Sequence, residues 1–232
     1  MSHSINHINE NKHPKQDFQV ERIAFFSDAV FAIAITLLVI EFKPPFIGKD
    51  TTADVFYHEL REMRFKLLAV LLSFLLIVVY WIRHHTIFKH IHNYNRRIIL
   101  ANMLTLLPII FFPFTTSFLY ESLSSDNGLV VIPYRIFFLN HVAAGLSMYF
   151  FYWLVMKHYK GMSYPMDKVE AFKFESRLII MTITFLLIVF ISFFSFQYSP
   201  LGVLPLLGLR FYRRFFSKKQ IHVKQNNSAA HH

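Results

Sequence analysis

Three polar side chains stand at the entry of an otherwise apolar stretch: Arg22, Ser27 and Asp28, in RIAFFSDAVFAIAITLLVIEFK from Arg22 to Lys43. Ionisable groups inside a membrane segment are functional or architectural by default, because lipid offers them no partner. Here they open two roles: a paired network that anchors the helix, or a proton path through Asp28. The structural role is preferred, since a path needs a relay and only His141 otherwise lies well inside an apolar run. The remainder of the stretch, Ala29 to Ile40, carries one polar side chain, Thr36. On a wheel of about 100° per residue, Ala29, Ile33, Thr36, Leu37 and Ile40 share one narrow stripe, and Ser27 and Asp28 lie off it. The acidic motif is therefore expected to point into the bundle. Arg22 is expected to meet Asp28 only through a neighbouring helix. Periodicity alone reads Ile33, Leu37 and Ile40 as packing or lipid-facing positions, and Thr36 as a hydroxyl bonded back to the carbonyl of Ala32.

The elements that must position these residues are membrane spans. The chain has 232 residues, 54% hydrophobic, with 28 Phe, which is too apolar for an ordinary soluble domain. Its formal charge of +10 sits in clusters between apolar runs, which argues against nucleic acid and for the positive-inside rule. There is no Cys, so disulfides and thiolate metal sites are excluded. Residues 1–21 read as a polar cytosolic arm without the apolar core of a signal peptide. The first span ends at Pro44-Pro45, and a helix is possible over 53–64. Further spans are expected over 67–82, 98–120, 134–156, 177–196 and, broken by Pro and Gly, 200–216. Span three contains Asn102, Pro108 and Pro113, which predict a kink and carbonyls that neighbours must satisfy.

Six spans put both termini and the basic segments 83–97 and 157–175 on one side, which is expected to be the cytosol. The acidic loop 121–133 falls outside; so does 43–66, although it carries five Lys and Arg. The tail 217–232 is expected to be disordered, and its last residues read as a cloning remnant. No internal duplication of the first span is visible, which weakens an inverted-repeat transporter.

The string Arg22-x-x-x-Phe26-Ser27-Asp28, followed by AVFAIAITLLVI, matches without departure the signature opening the first helix of the transmembrane protein 175 family, the lysosomal potassium channels and their prokaryotic relatives. Tyr80-Trp81 with His84-His85, and Asn102 with Pro108 and Pro113-Phe114, also resemble the family pattern. The resemblance covers about residues 20–216. It implies an all-α membrane protein of six transmembrane helices per subunit, assembled as a homotetramer without a P-loop filter, in the cell membrane. The first helix would line the pore, which reverses the packing reading of its stripe. Ile33, Leu37 and Ile40 would form a constriction and gate, and Thr36 would aid selectivity for K+ over other monovalent cations. Arg22, Phe26, Ser27 and Asp28 would hold that helix to spans two and three, with Trp81, His84 or His85 as partners. The domains are then an arm 1–21, a channel domain 22–216 and a tail 217–232. No enzyme activity, cofactor or metal is implied beyond the permeant K+.

Two rival readings stay open. One is a proton leak or proton-coupled transporter using Asp28 and intramembrane His. The other is a membrane enzyme with His84, His85, His90 and His92 as metal ligands, although their spacing fits no standard zinc pattern.

Overall fold

The structure is a computed structural model; it describes residues 14–42, 44, 48, 51–123, 129–206 and 208. Five helices among these residues are long and apolar enough to cross a membrane. They are α1 (Pro14–Ile40), α2 (Ala53–Phe88), α3 (Arg96–Leu123), α4 (Val131–Trp153) and α5 (Lys168–Phe194). A π-helical turn, Leu154–His158, continues α4, and a 3-10 turn, Ser199–Val203, follows α5. Residues 1–13 of the arm and the tail 217–232 lie outside the described residues, as does most of the expected sixth span.

α3 is the central helix. It packs on α1 and α2 on one side and on α4 on the other, and α5 closes the bundle against α4. Interhelical hydrogen bonds and small residues do what apolar burial cannot, because lipid tails are as apolar as the helix surfaces. Thr116 donates to Ser73 at 2.8 Å, joining α3 to α2, and Thr105 donates to the Ser147 carbonyl at 3.2 Å, joining α3 to α4. Gly145 lets α4 approach α5 so closely that an added Cβ would stand 2.1 Å from Thr182 Oγ1.

Several boundaries differ from the sequence reading. α1 is already helical at Pro14, ahead of the expected Arg22. The possible helix at 53–64 and the second span are one 36-residue helix, opened by Thr52, whose hydroxyl accepts from the Val55 amide. Arg83, His84 and His85 consequently belong to α2 and not to a basic turn. α5 starts at Lys168, ahead of the expected 177, because the Asp167 carboxylate accepts from the amides of Val169 and Glu170. Lys168 and Lys173 therefore stand on its first turns.

α3 runs as one helix through Pro108 and Pro113. Asn140 of α4 donates to the Pro108 carbonyl at 3.0 Å, the kind of neighbouring partner a membrane proline needs. The two connections at the basic end are tied together. The amides of His92 and Asn93 donate to the Met162 carbonyl, and that of Tyr164 donates to the His90 carbonyl.

Candidate pore helix and its anchor

α1 has two unlike faces. Ser27, Phe31, Ala34 and Leu38 point into the bundle and are almost completely buried. Ala29, Ile33, Thr36 and Ile40 point away from it, with Ile33 58% and Ile40 68% exposed, and Leu37 lies at the edge. The Thr36 hydroxyl donates to the Ile33 carbonyl at 2.9 Å, so the expected partner, Ala32, is replaced by the carbonyl one residue nearer. Both reaches are open to a helical Thr.

The buried face is held by a polar chain through three helices. Ser27 Oγ donates to the Ile23 carbonyl at 2.9 Å and accepts from Asn102 Nδ2 of α3 at 2.9 Å. Asn102 Oδ1 in turn lies 2.7 Å from His84 Nε2 of α2. All three side chains are buried. Since the Asn102 oxygen can only accept, His84 carries its proton on Nε2 in this arrangement. The rings of Phe31, Phe88 and Phe151 enclose the imidazole at centroid distances of 5.4, 4.7 and 5.7 Å. The Asn102 amide thus gives to one helix and takes from another, joining α1, α3 and α2 in one chain.

A second bond fixes the rotation of α1 against α2. The Trp81 indole N–H donates to Asp28 Oδ1 at 2.9 Å, and His85 stacks on the same indole at 5.8 Å. The far end of α1 is tied to α3, where Tyr120 donates its hydroxyl proton to the Glu41 carbonyl and Ser117 donates to the Glu41 carboxylate at 3.3 Å.

Ser27, Asp28, Trp81, His84 and His85 thus come together, and two signature residues do not join them. Arg22 is exposed and makes no hydrogen bond or ion pair among the described residues. Phe26 is 52% exposed. Both line a cavity with Gln19, Tyr94 and Met103, between α1 and the start of α3. The wheel gives the reason: Arg22 and Phe26 lie within about 20° of Ile33, in the middle of the stripe, and about 140° and 100° from Ser27. The bridging role of Asn102 and the Glu41 clamp escaped the sequence reading. A lone Asn inside an apolar span was the available signal for the first.

His141 departs from the usual satisfied buried histidine. Among the described residues neither ring nitrogen has a hydrogen-bond partner, and the imidazole is packed between Phe112, Phe137 and Phe185 at 4.5 to 4.6 Å. The histidines considered as metal ligands disperse: His84 goes to Asn102, His85 to Trp81 and His92 to Tyr164.

Residues 22–113, which include Ser27, Asp28, Trp81, His84 and Asn102, match the sequence model of the family described as endosomal/lysosomal potassium channel TMEM175. A protein of Streptomyces collinus named a potassium channel is 33% identical over 57% of this chain and 62% of its own length. One of Chamaesiphon minutus, also named a potassium channel, is 40% identical over 50% of this chain and 57% of its length. A zebrafish relative, 31% identical over 40% of this chain and 19% of its length, is named an endosomal/lysosomal proton channel. The matches thus span little more than half the length of the bacterial relatives. The crystal structure of a lysosomal potassium-selective channel TMEM175 homolog from Chamaesiphon minutus superposes with a TM-score of 0.68 at 30% identity, over 84% of this chain and 97% of that one. The chain is a multi-pass membrane protein and belongs to the TMEM175 family.

Proposed function

We propose that this chain is one subunit of a potassium-favouring cation channel in which four copies set α1 around a common pore. The observation that carries the reading is the uncovered stripe of α1, with Ile33, Thr36 and Ile40 facing away from the bundle that buries the other side of the same helix. Family membership and the channel names of the relatives support it.

Rings of Ile33, Leu37 and Ile40 form a hydrophobic constriction that closes by dewetting. An ion in that constriction sheds water, and oxygen dipoles must replace what is lost. The Thr36 proton is committed to the Ile33 carbonyl, so the hydroxyl oxygen turns its lone pairs outward, the end a cation needs. Potassium holds its water less tightly than sodium and enters more readily. Selectivity then comes from side chains, without a P-loop. The channel domain spans 22–216, and the arm 1–21 and tail 217–232 lie on the cytosolic side of the cell membrane. The polar anchor, Ser27, Asp28, Trp81, His84 and Asn102, sets which face of α1 the pore receives. The protein is a passive conductor and not an enzyme, and the permeant ion takes the place of a cofactor.

Reversal potentials of reconstituted protein under a potassium/sodium gradient test this. A potassium-favouring value in wild type, a weaker preference in Thr36→Ala and a larger current in Ile33→Asn are expected. Absence of cation current from all three folded proteins would falsify the channel.

The name of the zebrafish relative raises a second reading, a proton leak through Asp28 and His141. A relay needs hydrogen-bonded neighbours, and the His141 ring has none; the nearby Tyr80 hydroxyl donates to the His141 backbone carbonyl instead. A proton current lost in Asp28→Asn and kept in Ile33→Asn would decide for this reading.

A further inference from the structure

A cavity of about 360 Å³ opens between α2 and α5 at the basic end of the bundle. Arg83 and Thr86 of α2 line one wall, and Glu170, Lys173, Phe174 and Arg177 of α5 line the other. Three cations against one carboxylate leave a net charge of +2. Lys173 and Arg177 are four residues apart and share a face of α5. Arg83 and Arg177 stand close enough for their charges to repel. The next carboxylate along α5, Glu175, is engaged elsewhere: it accepts from Lys157 at 3.0 Å and from the Tyr152 hydroxyl at 2.8 Å. Among the described residues Glu170 is thus the one carboxylate that lines the recess.

Its depth is informative. Arg83 lies five residues before the end of α2 and Arg177 nine residues into α5. At about 1.5 Å per residue these are about 7 Å and about 13 Å from the helix ends, the level where a span leaves hydrocarbon for headgroups. Cations that merely followed the positive-inside rule would sit in the connecting loops. These instead converge from two helices that scarcely touch one another, onto a recess with an apolar floor of Ile82 and Phe174.

We propose that this recess binds a phosphate-bearing anion, with Arg83, Lys173 and Arg177 holding the phosphate oxygens, and that the source is the headgroup of an anionic phospholipid. Basic recesses between membrane helices suit such headgroups because attraction and interfacial depth act together. The inference rests on membrane insertion alone and stands whether or not the pore conducts potassium.

The test uses the full chain in neutral-detergent micelles, titrated with phosphatidylglycerol, with phosphatidylcholine and with inorganic phosphate. Thermal stability and lipid retained in native mass spectrometry are followed together. Phosphatidylglycerol is expected to raise Tm and to stay bound, and phosphatidylcholine to do neither. Apparent affinity should fall about five-fold for each cation removed, in Arg83→Gln and in Lys173→Gln, and weaken with salt. Glu170→Gln should act in the opposite direction and tighten binding. Arg83→Lys, which keeps the charge, separates a folding defect from a binding one. The same shift from inorganic phosphate would keep the site and assign it to a soluble anion. Equal responses to phosphatidylglycerol and phosphatidylcholine, or an unchanged response in both charge-removing variants, would overturn the proposal.

Discussion

Replacing Asn102 by Ala tests the polar chain that fixes α1. The substitution removes the donor to Ser27 at 2.9 Å and the partner of His84 Nε2 at 2.7 Å. Interhelical bonds in a membrane protein average about 0.6 kcal/mol each, so the two together are worth about 1.2 kcal/mol. The larger part comes from what remains. His84 is buried between three aromatic rings, and its N–H, left without an acceptor, adds about 1–3 kcal/mol. A loss of about 2–4 kcal/mol is therefore expected in equilibrium unfolding in mixed micelles, followed by near-UV circular dichroism. Ser27→Ala supplies the second arm of a double-mutant cycle. Because the Ser27–Asn102 bond is already gone in Asn102→Ala, Ser27→Ala should cost less there than in wild type, with a coupling of about 0.5 kcal/mol or more. A loss below about 0.5 kcal/mol for Asn102→Ala, or additivity within about 0.3 kcal/mol, would show that the chain does not hold the helix.

Two further outcomes follow from the packing. Gly145→Ala places a methyl 2.1 Å from Thr182 Oγ1, forcing α4 from α5; a loss of about 1–3 kcal/mol is expected, relieved in the Thr182→Ala background. Full stability of Gly145→Ala alone would refute the close crossing. His141→Leu removes two buried nitrogens that have no partner, at nearly constant volume, so stability in the same assay should hold or rise by up to about 2 kcal/mol. A marked loss would mean that a partner reaches the imidazole.

Much of this was written in local sequence. The spans announce themselves by length and apolarity, and α1 shows its two faces through a period of 3.6 alone. What sequence could not give is partners. Asn102 is visible as a polar residue in an apolar run, but its spacing contains neither Ser27 nor His84, which lie 75 and 18 residues away. The family signature groups Arg22 and Phe26 with Ser27 and Asp28, but the helix turns the first two to the other side. Helix starts were misplaced where the cap is a single side chain, as at Asp167, or where the helix runs on past the apolar core, as at Arg83 to His85.

The asymmetry has a physical consequence for α1. Its buried side is specified by hydrogen bonds, each of which admits few residue types and one geometry: Ser27 to Asn102, and Asp28 to Trp81. Among the described residues the stripe from Ala29 to Ile40 makes no interhelical hydrogen bond; Thr36 bonds within its own helix. Rotation of α1 by one residue, about 100°, would take Ser27 off Asn102 and break the chain to His84. The side chains that determine where Ile33 and Thr36 point are thus on the opposite face of the helix. In the proposed channel, substitutions at Ile33 and Thr36 change the pore face while the anchor still holds α1 in register, whereas loss of the anchor releases the orientation of every residue on the stripe at once.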